Sequence, residues 1–206
     1  MRIMDAGLSQ TPAKLHDVFN LVATTALTGL TCASHLKDSS FNEPLSALMC
    51  LYLAVDSIWL IAQPEIADSG GAGASSTSSS GGALTLLSHH AFAFAIASHA
   101  FMWDPHTQYT CQMTVVEINT LILMLERQLP NGSPFAPAVH KLFVSSWVLL
   151  RLLWFPYFAA QLALLGDYPS ELMHMICALS LLALTMHQLV WTWNFCVPKE
   201  KWFPLP

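Results

Sequence analysis

"LTLLSHHAFAFAIASHAFMW", residues 84–103, decides how the chain is read. The run is long and apolar, yet adjacent imidazoles, His89 and His90, sit near its start. Its centre, "AFAFAIA" (91–97), alternates with a period of two, the pattern of a strand. A lone strand facing lipid would leave its backbone N–H and C=O groups unpaired. About 20 residues without Gly or Pro match a membrane-crossing helix instead. The stretch is predicted as a helix whose alanines suit close helix contact.

The composition agrees. Charged residues make up 10% of the 206 and hydrophobic residues 54%, whereas a soluble domain is about 25% charged. The net charge of -5 is mild and the basic residues are scattered, so nucleic-acid binding has no electrostatic footprint. Five cysteines (Cys32, Cys50, Cys111, Cys177 and Cys196) fall in or beside apolar runs, and no C-x-x-C occurs. They read as small buried apolar residues, not as a disulfide framework or zinc ribbon. "MRIMDAGLSQTPAK" lacks the apolar core of a signal peptide and leads quickly into the first apolar segment, the pattern expected of a short or shortened amino terminus.

Six segments approach the roughly 20 residues that a bilayer core of about 30 Å requires. They span 15–36, 46–63, 83–103, 109–129, 138–165 and 172–197. The first is Thr-rich, and the fifth is long and carries Pro156, which predicts a kink or tilt. The expected fold is an all-α membrane protein, a six-helix transmembrane bundle or barrel. It forms one domain over 15–197, with tails at 1–14 and 198–206. "DSGGAGASSTSSSGG" (68–82) reads as a flexible Gly/Ser loop, and "LPNGSPFAPA" (129–138) as a turn-rich connection. Six crossings place both termini on one side, together with Arg2, Lys14, Arg127, Lys141, Lys199 and Lys201. The positive-inside rule makes that side cytosolic.

Ionisable residues inside membrane helices are costly, so each is a candidate functional residue. Asp56, His89 and His90 lie about seven residues from the cytosolic ends of their helices, roughly 10 Å deep at 1.5 Å per residue. Glu117 and Asn119 on the fourth segment, and Arg151 on the fifth, lie slightly nearer the midplane. Four consecutive segments therefore carry polar groups at a similar depth. Neighbouring helical residues point about 100° apart. One histidine of the pair would face a cavity while the other bonds a neighbouring helix. His99 lies opposite His90 and deeper, outside this group. Arg151 has a plainer reading as the ion-pair partner of Glu117. Asn119 and Thr120 read equally well as interhelical hydrogen-bonders, and His140 and Lys141 as solvated interface residues. No H-x-x-x-H, H-x-x-H-H or H-E-x-x-H spacing occurs, and neither a P-loop nor a G-x-S-x-G elbow is present, so no metal or cofactor is expected.

Taken in order, "YLAVDSIW", the "HH" that opens an apolar helix, "VVEINTLIL" and "LLRLLWFP" resemble the TLC domain, the TRAM–LAG–CLN superfamily of multi-pass membrane proteins. The resemblance runs from about residue 20 to 197. It implies a helical barrel in the endoplasmic reticulum and a role in lipid homeostasis. It also implies that His89 and His90, with Asp56, lie in an acyl-transfer site, with Glu117, Asn119 and Arg151 beside the substrate. Acyl-CoA would then be a substrate, and a membrane lipid or fatty acyl chain the binding partner. The chain departs from the ceramide synthases in that family. Their longer signature after the histidines, ending in an HD-x-x-D cluster, is missing from "ASHAFMWDPHTQ". The resemblance is therefore to the shorter TLC-domain-containing type. Two readings follow, an acyltransferase that uses the histidine pair, or a non-catalytic lipid-binding, lipid-sensing or trafficking-adaptor protein on the same scaffold.

Overall fold

The computed structural model describes residues 5–36, 39–64, 79–103, 107–130, 132–166 and 168–196. Eight α-helices are described: α1 (Asp5–Leu36), α2 (Asn42–Ala62), α3 (Ser79–Met102), α4 (Thr107–Thr114), α5 (Glu117–Gln128), α6 (Ala136–Ser146), α7 (Phe155–Leu165) and α8 (Glu171–Cys196). A 3-10 turn (Ser39–Phe41) leads into α2, and a π-helical stretch (Trp147–Trp154) joins α6 to α7. No strand occurs among the described residues, so 91–97 is helical despite its alternation.

Two segment boundaries differ from the expected ones. Helix α1 begins within the segment read as a tail and takes in Pro12. Helix α3 begins at Ser79, inside the expected Gly/Ser loop, whose residues 68–78 lie outside the described ones. Hydropathy marks where a helix would meet lipid, while the backbone coils on into polar residues beyond it.

Two interior departures shape the site. The fourth segment is broken at Val115–Val116. There Val116, Ile118 and Asn119 donate their N–H groups three residues back, to Met113, Val115 and Val116, at 3.3, 3.2 and 3.0 Å. This tighter, 3-10-like bonding suits a pair of β-branched residues that crowd the α-helical turn. In the fifth segment the expected disturbance near Pro156 takes the form of the π-helical stretch. Phe155 N–H bonds Leu150 O, five residues back. Proline lacks an N–H, and its ring would collide with the carbonyl four residues back in a regular helix. A local widening of the helix relieves that collision and turns Arg151 inward.

Helix α3 packs between α2 and α8, α1 packs on α2 and α5, and α7 packs on α8. One core cluster gathers Ile96, Val116, Phe155, Phe158, Leu181 and Leu184. A second gathers Leu27, Leu45, Tyr52, Leu53 and Cys111. Outside them the usual polarity of a fold is reversed. Leu51, Ile58 and Ile61 of α2 are exposed while Ser46 and Asp56 of the same helix are buried. Leu164, Leu172, Leu179 and Leu182 are also exposed, whereas Gln188 is buried. Such a surface is stable where the surrounding solvent is hydrocarbon. Among the described residues three helical stretches are long and apolar enough to cross a membrane: Ser39–Ala62, Ala136–Leu165 and Glu171–Trp193.

Candidate functional site

The site is built around one carboxylate. Asp56 on α2 is 2% exposed, and its two oxygens face two imidazoles from other helices. His16 Nε2 of α1 lies 2.6 Å from Oδ1, and His90 Nε2 of α3 lies 3.4 Å from Oδ2. The shorter contact is a hydrogen bond in which the carboxylate accepts from His16 Nε2–H, and the longer one to His90 is electrostatic. Each ring has a second polar neighbour: Asn20 Nδ2 lies 3.3 Å from both ring nitrogens of His16, and Ser57 Oγ lies 3.3 Å from His90 Nδ1. Helical spacing places His16, Asn20 and Thr24 on one face of α1, and all three are buried. Trp59 meets the His16 ring edge-on at 5.4 Å and helps to close the cluster.

His89 is in a different position from its neighbour. Its ring lies 6.0 Å from that of His90, 5.8 Å from His187 and 4.8 Å from Trp191. His187 is anchored by Ser88 Oγ at 2.9 Å and by the Ala183 carbonyl at 2.7 Å. His89 Nδ1, by contrast, is a buried atom with no hydrogen-bond partner among the described residues. Geometry thus divides the pair. His90 is held by Asp56 and Ser57, and His89 keeps an open ring nitrogen among aromatic walls.

A second polar cluster lies alongside. Arg151, 7% exposed, donates from Nε to Asn119 Oδ1 at 3.0 Å, from Nη1 to Gln188 Oε1 at 3.1 Å and from Nη2 to Thr120 Oγ1 at 2.6 Å. Its guanidinium also lies 5.1 Å from the centre of the Trp147 ring. Asn119 is fixed in turn, donating to Phe143 O at 3.0 Å and Ser146 Oγ at 2.8 Å. The ion pair between Arg151 and Glu117 read from the sequence does not form. Asn119 and Thr120 of the same helix take the guanidinium's hydrogen bonds, and Glu117 acts on it at a distance. Glu117 is buried within the electrostatic field of Arg151, and Tyr52 stands in the field of Asp56, Glu117 and Arg151 together.

Farther from this group, His99 stacks on Tyr168 at 6.0 Å. Tyr168 lies in the connection before α8. Burial, with Cys177 and Tyr109 nearby, pushes its phenol far up, so it remains a neutral donor to Leu162 O at 3.0 Å. The cavity beside it, bounded by Ile96, Thr110 and Leu162, has room for about one water. His140, read from the sequence as simply solvated, pairs with Glu126 at 2.8 Å across the α5–α6 turn. No cluster of His, Cys, Asp or Glu able to hold a metal ion occurs among the described residues.

The structure therefore brings Asp56, His90 and His89 together, and Asn119 with Arg151, and it leaves Glu117 near both groups without a hydrogen bond. His16 and Gln188 join them unannounced by the sequence reading. The signal for His16 was the i, i+4, i+8 polar face His16–Asn20–Thr24 on a helix otherwise rich in leucine and alanine. Gln188 sits one position after His187 in an apolar helix and could have been flagged on the same grounds. No protein-family model, curated protein or solved structure matches the chain.

Proposed function

We propose that the chain is a multi-pass membrane protein of the TLC type that acts on lipids, with His89 as the reactive imidazole of an acyl-transfer site. The observation that carries this reading is the division of labour within the pair. His90 is held by Asp56, itself braced by His16, while His89 Nδ1 is buried and open. The motif order from Asp56 through Arg151 supports the family, and the apolar outer surface supports a lipid setting. In this reading six segments cross the membrane of the endoplasmic reticulum, with both termini cytosolic.

A neutral imidazole with a free lone pair serves as a general base. His89 Nδ1 would take the proton of a lipid hydroxyl or amine as that oxygen or nitrogen attacks the carbonyl carbon of a thioester donor such as acyl-CoA. The C–S bond breaks, and the departing thiolate takes the proton back from the ring. Each buried methylene of the acyl chain contributes about 0.8 kcal/mol, so eight would supply roughly 6 kcal/mol of binding.

A second reading is a non-catalytic lipid-binding protein. It is favoured by the internal partners that Asp56, His90 and Arg151 already have. Expression of wild type, His89→Phe and His90→Ala in a host, followed by untargeted lipid analysis, separates the two. Catalysis is expected to alter one acyl-lipid class with wild type and to lose that change with His89→Phe. Identical profiles for folded wild type and His89→Phe would leave the binding reading.

A further inference from the structure

The geometry points to an anionic lipid head, a carboxylate or a phosphate, held between Arg151 and His89; this rests on the reading of the site as a lipid site. Arg151 carries a permanent charge within a stretch long and apolar enough to cross a membrane. Such a charge is costly there unless it meets a counter-charge. Its three hydrogen-bond acceptors, Asn119, Gln188 and Thr120, are all neutral oxygens. A guanidinium has five N–H donors. The three bonds leave one N–H on Nη1 and one on Nη2 for a further acceptor such as a carboxylate or phosphate. Glu117 supports the guanidinium charge from a distance but makes no hydrogen bond or ion pair with it, so the two remaining N–H groups are left for another acceptor.

His89 lies in the field of the Arg151 charge, and the two meet α8 at neighbouring positions: Arg151 bonds Gln188, and His89 packs against His187 and Trp191. The open atom of His89 is its buried Nδ1; with the ring proton on Nδ1 it donates to a bound anionic head, and with the proton on Nε2 the same atom is the base of the acyl transfer. The guanidinium is already oriented, because Asn119 is itself pinned by Phe143 O and Ser146. Trp147 and Trp191 give the surroundings apolar walls suited to the start of a hydrocarbon chain. The donors suit an acceptor-only head group, and a neutral alcohol of equal chain length would satisfy fewer of them.

The test uses the full chain in detergent with four probes in two matched pairs. Oleate is compared with oleyl alcohol, and dioleoyl phosphatidic acid with diolein, by native mass spectrometry at several lipid ratios. In wild type, at least one anionic member is expected to bind about tenfold or more tighter than its neutral counterpart, as charge-assisted bonds would give. The oleate arm reads a carboxylate head and the phosphatidic acid arm a phosphate. Arg151→Gln is expected to erase the difference, and Arg151→Lys to keep part of it. Equal binding within both pairs in wild type would overturn the anion inference and leave the lipid site standing. Absence of binding by all four probes would sink the lipid site together with it. The wild-type comparison decides the matter even if Arg151→Gln fails to fold.

Discussion

At Asp56, removal of the carboxylate leaves the Nε2–H of His16 without its acceptor and removes the longer electrostatic contact to His90. A buried donor stripped of its partner costs about 1–3 kcal/mol. Asp56→Ala is therefore expected to lower the melting temperature in detergent by several degrees. The double variant His16→Leu/Asp56→Leu is expected to regain part of the loss, because replacing both partners with apolar groups removes the unmet demand. An unchanged melting temperature for Asp56→Ala would show that the cluster is not formed in solution. His89 behaves oppositely in this account. Its Nδ1 has no partner to lose, so His89→Phe is expected to melt within about 1 kcal/mol of wild type while His90→Ala is clearly destabilised. Thermal melts of the two single variants check this directly. Asp56, His90, Asn119 and Arg151 were legible in the sequence because ionisable or amide side chains stand out in apolar runs. His16 was not, because beside Lys14 and Asp17 it resembles the solvated end of a weak helix.

The two irregular elements lie where the polar groups are aimed. The π-helical stretch ends at Trp154, two residues before Pro156, and the i−5 bond from Phe155 to Leu150 already accommodates the ring. Proline in a regular helix interior costs about 3 kcal/mol. Here Pro156→Ala is expected to change stability by about 1 kcal/mol or less, read by thermal melts. Deleting Val148 would shorten the stretch by one residue and turn Arg151, together with α7, by about 100° relative to α6. That deletion is expected to destabilise the fold strongly, since Arg151 would lose Asn119, Thr120 and Gln188 together. Pro156 advertised the first irregularity in the sequence. The break at Val115–Val116 had no such signal, because neither Gly nor Pro marks it. The 3-10 bonds there arise from side-chain crowding that a hydropathy pattern does not register.

On the scale of the whole molecule, buried polar groups and exposed leucines together imply a protein solvated by lipid. Alkaline carbonate extraction is expected to leave the full chain in the membrane pellet. The helical class and the long apolar helices α2 and α8 were legible from composition and run length. The number of crossings is a finer matter, since among the described residues three stretches meet the length and hydropathy needed and α1 and α3 are diluted by threonine and histidine. Six crossings place both termini on one face, whereas three would place them on opposite faces. Glycosylation-acceptor tags at each end distinguish these outcomes, and both are expected to remain unmodified. The most direct test of the central claim is photolabelling of the full chain in membranes with a fatty acid that carries a diazirine close to its carboxylate. Label is expected to concentrate on residues around His89, Arg151 and Trp191 and to be displaced by excess unlabelled fatty acid. Label spread evenly over the exposed leucine faces, undiminished by competitor, would contradict the account.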